Sequence, residues 1–299
     1  MNTLILKTLP VFLPLLYLPA SEADDCFRCV NAPPGTVFCD DFESPGELTE
    51  RYFDYDNDDG DFVRREGVGR NGSSGMVVRW QKGEVEAGKL HVAIGRSPDP
   101  YMRPVSEPEK DFDEIYWRID VKQEEGWQGG GGDKLSRATV IAGRNWQQSM
   151  IAHIWSGSPP NGNYLVMDPA TGIDENSELV TRRYNDFPRL RWLGNQKSIK
   201  DIFSTENSGK WYCIVARVKL NTPGRADGIF ELRIDDALQA GRYDLNWHKH
   251  WNTRPDSYKI NAVFFENYWN QGSVKDQERY FDNIVISTKP IPCRCEAQD

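Results

Sequence analysis

Lys134 stands two residues beyond four consecutive glycines, Gly129 to Gly132. Glycine lets a backbone approach a ligand closely, so an ammonium placed there is a ready counter-charge for an anion; a solvated lysine in a mobile loop is the plainer alternative. His91 and His153 both fall in apolar stretches of alternating character. Alternation turns His91 away from Leu90, Val92 and Ile94, and His153 away from Met150, Ala152 and Ile154, so that each can face a groove. A neutral imidazole near pH 7 is a competent base. The run Glu266 to Gly272 holds Asn267, Tyr268 and Gln271, groups that hydrogen-bond to or stack on sugars. His248 and His250, beside Trp247 and Trp251, suit a structural or stacking role better.

Charge is distributed unevenly. Between Arg182 and Lys200 lie Arg182, Arg183, Arg189, Arg191, Lys197 and Lys200 against the single acid Asp186, a pattern that suits a lip for a polyanion and puts Arg189 and Arg191 among the candidate ligand contacts. Residues 54–61 carry five aspartates, which makes calcium a possible ligand. The EF-hand frame nevertheless fails, because Asp59 stands where that loop needs Gly and Arg65 where it needs Glu. Glu109, Asp111 and Glu114 match the carboxylate spacing of a jelly-roll glycosidase. Their position argues for an acidic lead-in to a strand instead.

The elements that must carry these groups read as strands. Tyr212 to Lys219 sets Tyr212, Ile214, Ala216 and Val218 against Cys213, Val215, Arg217 and Lys219, and Phe230, Leu232 and Ile234 repeat the pattern after the turn at Asn221 to Gly224. Further strands are expected over Thr36–Phe42, Gly75–Trp80, Lys89–Gly95, Glu114–Val121, Ala138–Ala142, Ser149–Trp155, Tyr164–Met167, Ile260–Trp269 and Tyr280–Ser287. Ser198–Phe203 alone suggests a helical turn. Half-buried faces of this kind require a second sheet, so the predicted fold is all-β, a two-sheet antiparallel sandwich.

Residues 1–23 have the layout of a cleaved secretory signal, leaving residues 24–299 as one domain of jelly-roll size. The six cysteines Cys26, Cys29, Cys39, Cys213, Cys293 and Cys295 suit disulfides in an oxidising compartment, with bonds joining the two termini the most natural pairing and zinc at the paired cysteines the alternative. The expected location is therefore secreted or periplasmic. A net charge of −9 provides no bulk attraction to nucleic acid or to an anionic membrane.

In order along the chain, Asp40-Asp-Phe-Glu43, the strand Glu114–Val121 leading to the glycine run and Lys134-Leu135, Gly209-Lys-Trp-Tyr212, Asn221-Thr-Pro-Gly224 with Asp227-Gly228, and Phe281-Asp-Asn-Ile-Val285 resemble the concanavalin A-like jelly-roll superfamily. Within it they are most similar to polysaccharide lyases of the alginate and glucuronan type. The resemblance implies a secreted enzyme that cleaves a uronate-containing, acidic glycan by β-elimination with no obligatory metal; a non-catalytic glycan-binding jelly roll is the alternative. It implies Lys134 as the group that meets the substrate carboxylate, although Ser136-Arg137 replaces the Pro-Gly that follows this lysine in the family. Tyr164 takes the place of the family's strand tyrosine after a Gly-containing turn, with Val166 where a second tyrosine is often found. The expected catalytic set is thus Lys134, Tyr164, His91 and His153, with Arg137, Asn267, Tyr268, Gln271, Arg189 and Arg191 binding substrate.

Overall fold

The computed structural model describes residues 28–129 and 131–294. The proposed signal at 1–23, Cys26 and Cys295 lie outside the described residues. In chain order the strands are β1 (Thr36–Asp40), β2 (Asp54–Asp56), β3 (Phe62–Arg65), β4 (Gly75–Trp80), β5 (Glu86–Ile94), β6 (Val105–Ser106), β7 (Glu114–Gln123), β8 (Lys134–Ile141) and β9 (Gln148–Ser156). They continue with β10 (Tyr164–Thr171), β11 (Arg191–Trp192), β12 (Gln196–Asp201), β13 (Trp211–Lys219), β14 (Gly228–Ile234), β15 (Ala237–Leu245), β16 (Ala262–Tyr268) and β17 (Gln277–Ser287). Only three-residue 3-10 turns interrupt them among the described residues.

Two sheets result. One runs β15-β14-β13-β7-β17-β4-β3 with β1 also on β17, and the other runs β11-β10-β9-β8-β16-β5-β2 with β12 on β10 and β6 on β5. All ladders are antiparallel except the short β5–β6 pair. Apolar residues at every second position explain why the sheets stack: Tyr212, Ile214, Ala216 and Val218 of β13 share one core with Leu90, Val92 and Ile94 of β5 and Met150, Ala152 and Ile154 of β9. The sandwich is the all-β jelly roll of the concanavalin A type.

Cys213, Val215 and Val285 point out of the first sheet, and there Ile291 and Cys293 cover them. The Cys213–Cys293 disulfide fixes that cover, and Cys29–Cys39 closes a short N-terminal loop. Each of these two bonds joins a segment near one chain end to a nearby strand, while the expected pairing between the ends falls on Cys26 and Cys295, outside the described residues. Both bonds also remove their cysteines from a zinc site. At 198–203 the helical turn is not found; Gln196–Asp201 is the strand β12, paired to β10.

Candidate active site

Alternation sends Leu90, Val92, Val263, Phe265, Ala152 and Ile154 into the core, and the residues between them to the outer face of the nine-stranded sheet. There the register aligns one transverse row. Asp54 of β2 pairs with His91 of β5, His91 with Phe264 of β16, Phe264 with Arg137 of β8, Arg137 with His153 of β9, and His153 with Asp168 of β10. Directly paired residues on one face are in contact distance. A cleft of about 560 Å³ opens over this row, lined by Asp54, His91, Arg137 and His153.

Two bulges add a second row of charge. Lys134 pairs with Trp155 and Ser136 with Ile154, so β8 takes two steps where β9 takes one. In a regular strand Lys134 and Arg137, three apart, face opposite ways; the extra residue brings both into the cleft, while Leu135 enters the core and Ser136 accepts the buried Trp117 indole N–H. On the other side of β16 the same device recurs. Glu266 pairs with Lys89 but Tyr268 with Glu86, so β5 carries the extra residue, and Glu86 and Lys89 both line the cleft. Gly88 sits in this bulge at φ +83°, and a Cβ there would meet Asp56 O and Phe62 at 2.6 Å.

Arg137 is the hub. Its guanidinium donates to Glu266 Oε1 at 2.7 Å and to Asn185 Oδ1 at 2.9 Å, contacts the Tyr184 hydroxyl, and lies between the rings of Tyr184 and Phe264. Burial opposes charge on Glu266, but Arg137 first and then Lys134 outweigh it and bring the carboxyl down to about 2. Burial lowers the pKa of both cleft histidines, His153 well below its ordinary value because Lys134 and Arg137 add to the effect, so the imidazoles are neutral at pH 7. His91 lies flat on Phe264 with Nδ1 3.0 Å from Asp54 Oδ2. His153 stacks on Trp155, and its Nε2 has no protein partner.

Lys134, only 8% exposed, holds its ammonium 4.2 Å above the Tyr268 ring rather than in an ion pair. Burial lowers its pKa, and Glu266 partly restores it. Its backbone is pinned: Arg279, fully buried and paired with Asp133, donates to Lys134 O, while Trp269 Nε1 donates to Gly131 O.

Of the expected residues, Lys134, His91, His153, Arg137 and Tyr268 share this cleft. The others do not. Tyr164 lies two strands from Lys134, about 10 Å across the sheet, and two residues, about 7 Å, beyond Val166, the partner of Trp155; Lys197 covers its ring. Asn267 points the opposite way from Glu266 and Tyr268, into the sheet, where it donates to Gly88 O. Gln271 is in the exposed turn beyond β16. Arg189 is bound to Asp186, and Arg191 faces Glu175 in a separate depression. The basic segment therefore gives the cleft Tyr184, Asn185, Phe187 and Trp192, not its cations.

The aspartates of 54–61 have protein partners: Asp54 faces His91 and Lys89, Asp56 accepts the Asp58 N–H, and Asp61 accepts from Gln81. Among the described residues no cluster of three or more His, Cys, Asp or Glu is arranged to hold a metal. The glycosidase-like carboxylates are also dispersed, Asp111 pairing with Arg96 and Glu114 with Arg217 on the opposite sheet. His248 is buried against Ser149 and Trp251, away from the cleft.

Glu266 is not among the expected site residues, although alternation along β16 puts it on the face of Tyr268. Tyr184 and Trp192 lie in irregular or two-residue segments whose path no periodicity reveals.

A cleft on the outer face of one sheet of a concanavalin A-like sandwich is the architecture in hand, and solved structures share the fold. An endo-β-1,4-glucuronan lyase from the fungus Trichoderma reesei is 14% identical over 85% of this chain and 96% of its own, with a TM-score of 0.57. A marine alginate lyase from Aplysia kurodai is 15% identical over 85% of this chain and 99% of its own, TM-score 0.54. An alginate lyase from a Chlorella virus is 13% identical over 76% and 89%, TM-score 0.53. No protein-family model matches the sequence, and no curated protein matches it. At these identities the likeness is one of fold.

Proposed function

We propose that the protein is an exported polysaccharide lyase that cleaves a uronate-containing glycan by β-elimination. The observation that carries this is the meeting, in one cleft, of an ammonium outside any ion pair (Lys134), a neutral imidazole with a free Nε2 (His153) and a phenol (Tyr268). Lys134 binds the C6 carboxylate and stabilises the charge that spreads onto it as the C5 proton leaves. His153 Nε2 takes that proton. The C5–H electron pair forms the C4–C5 double bond, the C4–O bond breaks, and Tyr268 protonates the departing oxygen. His91, set by Asp54, flanks the site, and Arg137 with Glu266 holds its floor.

Similar structures that act on glucuronan and alginate support the substrate class, and two disulfides fit an oxidising compartment. A non-catalytic glycan-binding module is the second reading, favoured by Phe187 and Trp192, which are 49% and 42% exposed at one flank of the cleft.

Ultraviolet absorbance of the unsaturated product decides between the two. Lys134→Ala should lower the rate about 10²–10³-fold and His153→Gln about 10²–10⁴-fold, each with an unchanged circular dichroism spectrum. Retention of glycan by the wild-type protein with no absorbance on any polyuronate would leave the binding module.

A further inference from the structure

The cleft balances its charges. Lys89, Lys134 and Arg137 are matched by Asp54, Glu86 and Glu266, and two of the three cations are engaged. Arg137 is bound to Glu266 at 2.7 Å, and Lys89 lies 3.8 Å from Asp54, 3.8 Å from Asp56 and 4.0 Å from Glu86. Lys134 alone faces an aromatic ring instead of a carboxylate.

The two flanks also differ. Sheet order places β9 and β11 on one side of Lys134 and β5 and β2 on the other. Toward β11 the lining includes Trp155, Phe187 and Trp192, stacking faces that with Ile151 and the neutral His153 bring no charge. Toward β2 it presents Glu86 and Asp54, with Lys89 held against them and Asp56 and with neutral His91 beside Asp54; the carboxylates outnumber the cation, so the flank repels a second carboxylate but accepts hydroxyl or amide hydrogen bonds.

From this arrangement, and resting on the lyase reading above, we infer that the cleft selects a heteropolysaccharide in which each uronate is isolated between uncharged sugars. A homopolymer brings one carboxylate per sugar, so a chain seated with one uronate at Lys134 puts the next against Glu86 on one side and against bare aromatic faces on the other. Among the described residues lining either flank no cation is free to meet it. A polymer with uncharged neighbours meets stacking surface at one flank and hydrogen-bond acceptors at the other.

The test compares hyaluronan and deacylated gellan, in which uncharged sugars separate the glucuronates, with polyglucuronate and polymannuronate. Wild-type kcat/KM, read from product absorbance, should be about tenfold or more higher on the spaced polymers, and Glu86→Gln should narrow the gap severalfold by removing the repulsion. Equal or faster cleavage of the homopolymers overturns the inference while leaving the lyase reading intact. No product from any polymer overturns the lyase reading. Affinity electrophoresis in the same four polymers then still decides the selectivity, since stronger retardation by the homopolymers contradicts it and stronger retardation by the spaced ones supports it.

Discussion

At the residue scale, the candidate site is organised around a buried ion pair rather than around its most conspicuous cation. Arg137 and Glu266 are almost inaccessible and meet through Glu266 Oε1, while Glu266 Oε2 and Arg137 Nε are buried without a hydrogen-bond partner. Removing one partner leaves the other charge buried without compensation, which costs about 3–5 kcal/mol. Glu266→Gln should therefore lower the unfolding free energy obtained from urea titration by that order and loosen Tyr184, which shares the carboxylate. The pH signature has a definite sign. Because the folded Glu266 value of about 2 lies below the ordinary carboxyl value of 4.5, its contribution is whole above pH 4.5 and disappears as the pH falls toward 2; the Gln variant should lack that component of acid destabilisation. Lys134, His91 and His153 were legible because a glycine run and strict alternation mark them. Tyr164 falls outside the cleft; a strand position seen without its neighbours says nothing about how far along the sheet it lies.

At the element scale, the placement of charge depends on two bulges flanking β16. Alternation predicts most strands to within a few residues, since the core faces obey it, but a bulge breaks the period by one and sends every later side chain to the other face. The expected strands begin at Lys89 and Ala138, just past each bulge, so alternation says nothing about which way the residues before them face. Gly88 is the one signal that was available, since a glycine within a strand marks a bulge or a close backbone approach. Gly88→Ala puts a Cβ into a left-handed conformation and against Asp56 O. The expected loss is about 1–3 kcal/mol in chemical denaturation, accompanied by a lower rate as Glu86 and Lys89 shift. A variant with wild-type stability and rate would show that the bulge does not set the cleft.

For the whole molecule, the two-sheet plan was readable because it follows from apolar periodicity alone, whereas the crossing of distant segments into one cleft depends on the sheet order, which no local pattern encodes. The fold also carries a pH dependence remote from the cleft. His248 is buried beside Lys259 and has its pKa lowered from 6.5 to about 3. The unfolded chain thus binds a proton below pH 6.5 that the folded one refuses until about pH 3, so stability present above 6.5 is lost as the pH falls, at about 1.4 kcal/mol per unit for this residue. The slope of unfolding free energy against pH between 6 and 4 should flatten by that amount in His248→Gln. The elimination proposed for the cleft leaves its mark on the product, where mass spectrometry of the oligosaccharides released from a uronate polymer reads it. Elimination predicts new ends lighter by one water than those hydrolysis produces; fragments carrying the full water, or no fragments from any such polymer, would contradict it.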